Sequence, residues 1–133
     1  MAVAPDFVTV VFDASTVLAI LKNETGADSA IEHARGAMLS SVNLIEVRSK
    51  LFEIVSDVDA VIANLDRLEI VIMPFTATQA KIAADLWPVV KGKDVSIADR
   101  VCLALAIDQA ATLWTADKDW VTLGLDLDIR LIR

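Results

Sequence analysis

Four acidic residues stand out because each lies at the end of an otherwise apolar segment. A carboxylate in apolar surroundings is costly to bury unless a positive charge compensates it, and four carboxylates gathered together repel one another. A divalent cation with oxygen ligands would provide that compensation. We therefore take these four acids as candidate catalytic residues and metal ligands: Asp13, Glu46, Asp99 and Asp117.

The types of donor limit the metal and its chemistry. No cluster of histidine and cysteine accompanies the four acids, so zinc is disfavoured, whereas an all-oxygen site favours Mg²⁺ or Mn²⁺. Such a cation binds phosphate oxygens, lowers the pKa of a bound water and stabilises an oxyanion leaving group. The chemistry expected of the site is phosphodiester hydrolysis without a covalent nucleophile from the protein.

Neighbouring polar residues are candidates for supporting this site. Ser15, Thr115 and Asp119 lie within two residues of a proposed ligand and could orient it or hold a metal-bound water. Alternatively, Ser15 caps the first helix, Thr115 is an ordinary strand residue and Asp119 complements a helix dipole. Six basic residues close in sequence to the acids could contact phosphate, or could form an ordinary solvated face: Arg48, Lys50, Lys91, Lys93, Arg100 and Lys118.

The hydrophobic pattern predicts the elements that would position the acids. Strands are expected at residues 8–12, 38–40, 68–73, 112–115 and, as an edge strand, 128–132. Helices are expected from Ser15, at 27–35, from a cap at Ser41 or Asn43 to about 55, at 57–65, from Thr76 or Thr78 to 86, and from Ser96 to about 110, with a helical turn at 117–123.

Alternating strands and helices predict a single three-layer α/β/α domain over residues 1–133, with a mainly parallel central sheet of four to five strands. In such a sheet, ligands bind beyond the carboxyl ends of the strands. Asp13 and Asp117 directly follow predicted strands, and Glu46 and Asp99 lie near the starts of helices. All four acids can therefore meet at one edge of the sheet.

Composition limits the partners and the cellular compartment expected of the protein. The chain has 133 residues, is 56% hydrophobic and carries a net charge of −7, an unusual balance for a protein that contacts nucleic acid. The single cysteine excludes an internal disulfide and fits the cytosol. Residues 1–7 lack the basic region of a signal peptide, and no apolar run reaches the ~20 residues of a membrane span. We expect a cytoplasmic protein without a membrane segment.

The four acidic segments, taken in order, resemble the motifs of PIN-domain ribonucleases, and among them the VapC-type toxins of bacterial toxin–antitoxin pairs. Residues 11–15 are similar to the opening motif, 43–47 to the second, 96–106 to the third and 115–120 to the fourth. The resemblance implies that the four acids bind Mg²⁺ or Mn²⁺ and that the chain is an endoribonuclease. It also implies a small antitoxin with a basic segment that blocks the site, and a homodimer.

Two other functions remain open from the residues. A haloacid-dehalogenase-type phosphohydrolase also begins with a hydrophobic strand and an aspartate, but it has a second acid at the position of Ser15. A catalytically silent PIN-fold module would bind RNA or an antitoxin without cleavage.

Apolar residues are more abundant than one core requires. The mean hydropathy is +0.57, and the predicted helices at 41–55 and 57–65 carry more apolar residues than a single face needs. We expect an exposed hydrophobic patch there, covered by an antitoxin or a second copy of the chain.

Trp87 and Trp114 are expected in the core, and Trp120 against the last helical turn.

Overall fold

The computed structural model describes residues 8–133, which form a five-stranded parallel sheet flanked by helices. The strand order is β3-β2-β1-β4-β5, and all four neighbouring pairs are parallel. The strands are β1 (Val10–Phe12), β2 (Met38–Ser40), β3 (Val71–Met73), β4 (Thr112–Thr115) and β5 (Ile129–Leu131). The predicted α/β architecture with a parallel sheet of four to five strands is confirmed.

Seven α-helices and one 3-10 helix connect the strands within the described residues. They are α1 (Ala14–Leu21), α2 (Ala27–Ile31), α3 (Ser41–Phe52), α4 (Val58–Arg67), α5 (Ala77–Asp85), α6 (Trp87–Val90), α7 (Ile97–Asp108) and the 3-10 helix Lys118–Thr122. None of the helices within residues 8–133 is both long enough and apolar enough to cross a bilayer.

The core consists of two hydrophobic clusters, one on each face of the sheet. Successive strand residues point to opposite faces, so Val10 and Phe12 pack in one cluster, with residues of α1, α3 and α4. Val11 and Leu113 pack in the other cluster, mainly with α7. Both faces of the sheet are covered, which explains why the central strand β1 is apolar and buried along its whole length.

Several predicted boundaries are wrong by a few residues. Strands β1 and β3 begin later than expected, at Val10 and Val71, and α2 ends at Ile31 rather than at residue 35. Ser40 caps α3 through a bond from the Val42 amide, where Ser41 or Asn43 was expected. The expected absence of a signal peptide concerns residues 1–7, which lie outside the described part of the chain.

Pro88 does not separate a helix from a loop, as the sequence suggested. It lies in the first turn of the short helix α6, where a missing amide hydrogen removes no helical bond. Trp87 therefore starts a surface helix and is 50% exposed, so its predicted place in the core is wrong. Trp114 is partly buried against the first cluster, and Trp120 is buried as expected.

Candidate active site

All four predicted acids line one cleft at the carboxyl edge of the sheet. Two of them follow strands: Asp13 comes after β1 and Asp117 after β4. Glu46 lies in the second turn of α3, and Asp99 in the first turn of α7. The cleft has a volume of about 230 Å³ and is lined by Asp13, Ala14, Ser15, Leu18, Asn43, Glu46, Lys50, Asp99, Asp117 and Trp120.

Asp13 is the most deeply buried of the four acids and is held by three donors. The backbone amide of Thr16 donates to its Oδ1 at 2.8 Å, so Asp13 itself caps α1. The Ser15 hydroxyl lies 2.8 Å from each carboxylate oxygen, and the Thr115 hydroxyl donates to Oδ2 at 2.5 Å. Ser15 is therefore not the cap of α1 but a donor to the residue that is.

The hydroxyls of Ser15 and Thr115 also join the ends of strands β1 and β4. Ser15 Oγ accepts from the amide of Ala116 at 3.0 Å, and Thr115 Oγ1 accepts from the amide of Asp117 at 3.0 Å. These bonds fix the backbone that carries Asp117 relative to the carboxylate of Asp13. Both hydroxyls thus bond to the carboxylate of Asp13, and their support of a metal site stays a prediction.

Glu46 is half-buried and is held by a residue that sequence reasoning did not single out. The Asn43 amide donates to Glu46 Oε1 at 2.8 Å and to the backbone oxygen of Ala98 at 3.0 Å. The spacing of three residues on one helix was the available signal, since side chains at i and i+3 are neighbours.

Asp99 and Asp117 each accept a hydrogen bond from a backbone amide at the start of a helix. Asp99 Oδ2 accepts from the amide of Ser96 at 2.9 Å, and Ser96 Oγ accepts from the amide of Asp99 at 3.0 Å, which completes a capping box. Asp117 Oδ1 accepts from the amide of Asp119 at 3.0 Å. Asp119 thus contributes its backbone, while its exposed side chain lines a neighbouring cavity rather than the cleft.

Burial raises the pKa of three of these carboxyls, and repulsion by neighbouring carboxylates adds to the rise in two of them. Burial raises the pKa of Asp13 despite its hydrogen bonds. Burial, then the charges of Asp99 and Asp13, raise the pKa of Glu46, against the opposing bond from Asn43. Burial and the charge of Asp117 raise the pKa of Asp99. The cleft therefore concentrates negative charge that nearby protein groups do not fully neutralise, which favours a cation.

The residues fit Mg²⁺ or Mn²⁺ by the chemistry of their donor atoms. All candidate ligand atoms are oxygens, and Asn43 Oδ1 is a further oxygen of the cleft lining that is buried without a partner. Within residues 8–133, no three His, Cys, Asp or Glu side chains already stand at ligand geometry. In this structure the four carboxylates line one cleft and are held there by amides and hydroxyls of the protein.

Only part of the predicted basic rim lies at the cleft. Lys50 lines it, whereas the Arg48 guanidinium pairs with Asp59 at 2.5 Å. The Arg100 guanidinium donates to the backbone oxygen of Ala83 at 3.1 Å and lies 5.4 Å from the centre of the Trp87 ring. Arg48 and Arg100 thus make contacts within the protein, and their phosphate contacts stay a prediction. The remaining three lysines are exposed: Lys91, Lys93 and Lys118.

Comparison with known proteins identifies the family. The family model described as PIN domain matches residues 10–124, which include all four acids. The chain belongs to the PIN-domain family. Among curated proteins, none matches this sequence significantly.

Solved structures with the same fold include a toxin–antitoxin complex, a VapBC protein bound to DNA and a toxin. A toxin–antitoxin complex from Klebsiella pneumoniae has a TM-score of 0.78 at 17% identity, covering 94% of this chain and 98% of that one. VapBC2 from Rickettsia felis, bound to promoter DNA, has a TM-score of 0.73 at 19% identity, covering 92% and 98%. A sarcin-ricin-loop-cleaving VapC toxin from Mycobacterium tuberculosis has a TM-score of 0.68 at 18% identity, covering 88% and 96%.

Proposed function

We propose that this protein is a Mg²⁺- or Mn²⁺-dependent endoribonuclease of the VapC toxin type. The observation that carries the proposal is the convergence of Asp13, Glu46, Asp99 and Asp117 from four separate elements on one cleft. Raised carboxyl pKa values, caused by burial and by like charge, support a cation among them. Membership of the PIN-domain family supports nuclease chemistry.

In this proposal each cleft residue has a defined task. The four acids would hold the cation, and a cation held there would supply an activated water and stabilisation of charge on the phosphate. Ser15 and Thr115 fix the carboxylate of Asp13 through hydroxyl donors, and Asn43 holds Glu46. The Lys50 ammonium lies on the cleft wall, and in this proposal it attracts a phosphate of the substrate.

RNA is the proposed substrate class. The Mycobacterium tuberculosis relative of the same fold is described as cleaving the sarcin-ricin loop. The net charge of −7 disfavours broad contact with a nucleic-acid backbone. We therefore propose a short RNA contact, centred on the cation and Lys50 and extended by the exposed lysines.

We propose a small antitoxin as the physiological partner. The Klebsiella and Rickettsia relatives were determined as complexes of toxin–antitoxin systems. An antitoxin with a basic segment would complement the acidic cleft, and its apolar residues would cover exposed side chains on and after α3. These are Ile45, Phe52 and Ile54, which are 64%, 68% and 56% exposed. A second copy of the chain, forming a homodimer, is the other proposed partner at this surface. We also propose that the protein is cytoplasmic.

A catalytically silent PIN-fold module is the alternative that one observation favours. Asp13, Asp99 and Asp117 each accept a backbone hydrogen bond at a helix start, which gives them a structural role without a metal. The dehalogenase alternative has no such support, because the chain belongs to the PIN-domain family.

A cleavage assay separates the proposal from this alternative. The purified chain is incubated with RNA and Mn²⁺, with RNA and EDTA, and as Asp99→Asn with Mn²⁺. The matched control is Asp28→Asn, an exposed acid on α2 outside the cleft lining. We expect cleavage by the wild type and the control with Mn²⁺ only, and at least about a hundredfold less by Asp99→Asn. Equal cleavage under all conditions, or none by the wild type, would contradict the proposal.

A further inference from the structure

Asn43 is a buried polar residue between two of the candidate ligands. It is 1% exposed and lies on α3, three residues before Glu46. Its Nδ2 donates to Glu46 Oε1 at 2.8 Å and to the Ala98 backbone oxygen at 3.0 Å. Ala98 immediately precedes Asp99 in the first turn of α7. One amide nitrogen therefore connects the carboxylate of Glu46 to the backbone that carries Asp99.

The orientation of this amide follows from its partners. Both atoms that Nδ2 contacts are oxygens, one of a carboxylate and one of a backbone carbonyl, and neither can donate a hydrogen. The flipped amide would place Oδ1 against both oxygens and lose both hydrogen bonds. An amide nitrogen has two hydrogens, so it satisfies both acceptors at once, which a single hydroxyl or an apolar side chain cannot do.

These contacts lead us to propose that Asn43 is a positioning residue, which fixes Glu46 relative to Asp99 so that both carboxylates serve one divalent cation. The inference rests on the proposed metal-dependent function and adds a residue to it. Residues three apart on one helix meet readily, but Ala98 belongs to a different helix. The bond to Ala98 therefore links α3 to α7 at the cleft itself, where a small shift separates the two ligands.

The carbonyl oxygen of Asn43 supports the same role. Oδ1 is buried without a hydrogen-bond partner, and Asn43 is part of the cleft lining. A buried acceptor without a partner is costly, and the one of Asn43, unlike that of Gln79, belongs to a residue of the cleft lining. The amide nitrogen is committed to protein oxygens, while the oxygen stays available to a donor within the cleft.

Gln79 provides a matched control for loss of a buried amide. It is 2% exposed on α5, its Nε2 donates to Asp108 at the end of α7 at 3.4 Å, and its Oε1 also lacks a partner. Like Asn43, it links a neighbouring helix to α7, but it is not part of the cleft lining. A general effect on the packing of α7 would be common to both residues.

The experiment measures Mn²⁺ affinity by titration calorimetry, together with thermal stability, for the wild type, Asn43→Ala and Gln79→Ala. We expect both variants to melt at lower temperature. Only Asn43→Ala should weaken Mn²⁺ binding, by about 10- to 100-fold, as for other outer contacts of metal ligands. If Asn43→Ala does not fold, Asn43→Leu, which fills similar space without a donor, takes its place in the measurement.

The outcomes distinguish this inference from the proposed function. Mn²⁺ affinity within about twofold of wild type in the Asn43 variant would overturn the positioning role and leave the proposed function standing. An equal loss of affinity in Gln79→Ala would also overturn it, because the effect would then be one of general stability. A wild-type chain that binds no Mn²⁺ would overturn the proposed function, and this inference with it.

Discussion

Asp13 shows how a single residue combines structural and proposed catalytic roles. Its carboxylate caps α1 and accepts hydroxyl donors from Ser15 and Thr115, yet burial still raises its pKa. Neutral hydroxyl donors therefore offset only part of the desolvation cost of a buried charge. A cation that favours the ionised form would offset the remainder, and this is why we place the metal beside the most deeply buried acid.

Thr115 tests whether these hydroxyl donors matter for metal binding. Thr115→Val keeps the shape of the side chain but removes the donor to Asp13 and the acceptor for the Asp117 amide. We expect a 10- to 100-fold loss of Mn²⁺ affinity and a loss of about 1–3 kcal/mol of stability, measured by calorimetry and urea denaturation. The control is Thr112→Val in the same strand, whose hydroxyl bonds to Asp128 outside the cleft. An unchanged affinity in Thr115→Val would contradict the supporting role.

The raised carboxyl pKa values predict how stability depends on pH. A carboxyl whose pKa is higher in the folded than in the unfolded state binds its proton more tightly when folded. Its contribution to the free energy of unfolding is therefore full below the unfolded pKa and is lost as pH rises through the folded pKa. Asp13, Glu46 and Asp99 all shift in this direction from reference values of 3.8, 4.5 and 3.8.

Melting curves in EDTA measure this dependence. We expect the contribution of these three acids to stability to fall as pH rises from about 4 through their raised pKa values. Asp13→Asn should make that fall in stability smaller. Mn²⁺ should raise the melting temperature of the wild type at neutral pH, because it binds the ionised form. A wild type whose melting temperature ignores millimolar Mn²⁺ would contradict the metal site.

At the scale of elements, the starts of helices place the site. Asp13 caps α1, Asp99 completes the capping box of α7, and Asp117 caps the 3-10 helix. Parallel strands bring these starts to one edge of the sheet, because every crossover returns the chain in the same direction. The same local bonds that begin a helix therefore fix a carboxylate at the cleft.

The capping box of α7 gives a prediction for one element. Ser96→Ala removes the acceptor for the Asp99 amide, and we expect a loss of about 0.5–2 kcal/mol in urea denaturation. The side chain of Asp99 remains in place but is held less firmly, so Mn²⁺ binding should also weaken. Thr76→Ala, which removes the equivalent cap of α5, should cost similar stability and leave Mn²⁺ affinity unchanged. If Ser96→Ala binds Mn²⁺ as tightly as Thr76→Ala does, the capping box does not contribute to metal binding, and this prediction is wrong.

The sequence predicted the strands and the gathering of the acids because both depend on short local patterns. A run of β-branched residues followed by Asp13 needs no distant partner to be recognised. The cap of α3 was missed because Ser40, Ser41 and Asn43 are all good caps within four positions. Side-chain partners were missed for a different reason: Arg48 and Arg100 each bond a residue of another helix, Asp59 and Ala83, which only the fold brings near.

At the scale of the molecule, the exposed apolar side chains suggest that the chain functions with a partner. Ile45 and Phe52 are seven residues apart on α3 and so share a face, and Ile54 follows in the next turn. The apolar residues Val58 and Leu65 of α4 are instead buried, so the predicted patch is narrower than the sequence indicated. A single domain over residues 1–133 stays a prediction.

Phe52→Ser tests this surface as an interface. We expect the variant to lower the apparent mass in light scattering at micromolar concentration, or to weaken binding of a cognate antitoxin, because it removes the one aromatic side chain of α3, which is 68% exposed. Ile107→Ser, on α7 and outside this surface, is the control and should change neither measurement. Two results together would contradict the assignment: the wild type is a monodisperse monomer, and Phe52→Ser binds the antitoxin as tightly as the wild type does.

The most direct measurement of the central claim is anomalous scattering from crystals of the protein grown with millimolar Mn²⁺. The account predicts a manganese peak in the cleft, with oxygens of Asp13 and at least two of the other three acids about 2 Å away. Density showing the carboxylates in their helix-capping positions, with manganese elsewhere or absent, would contradict it.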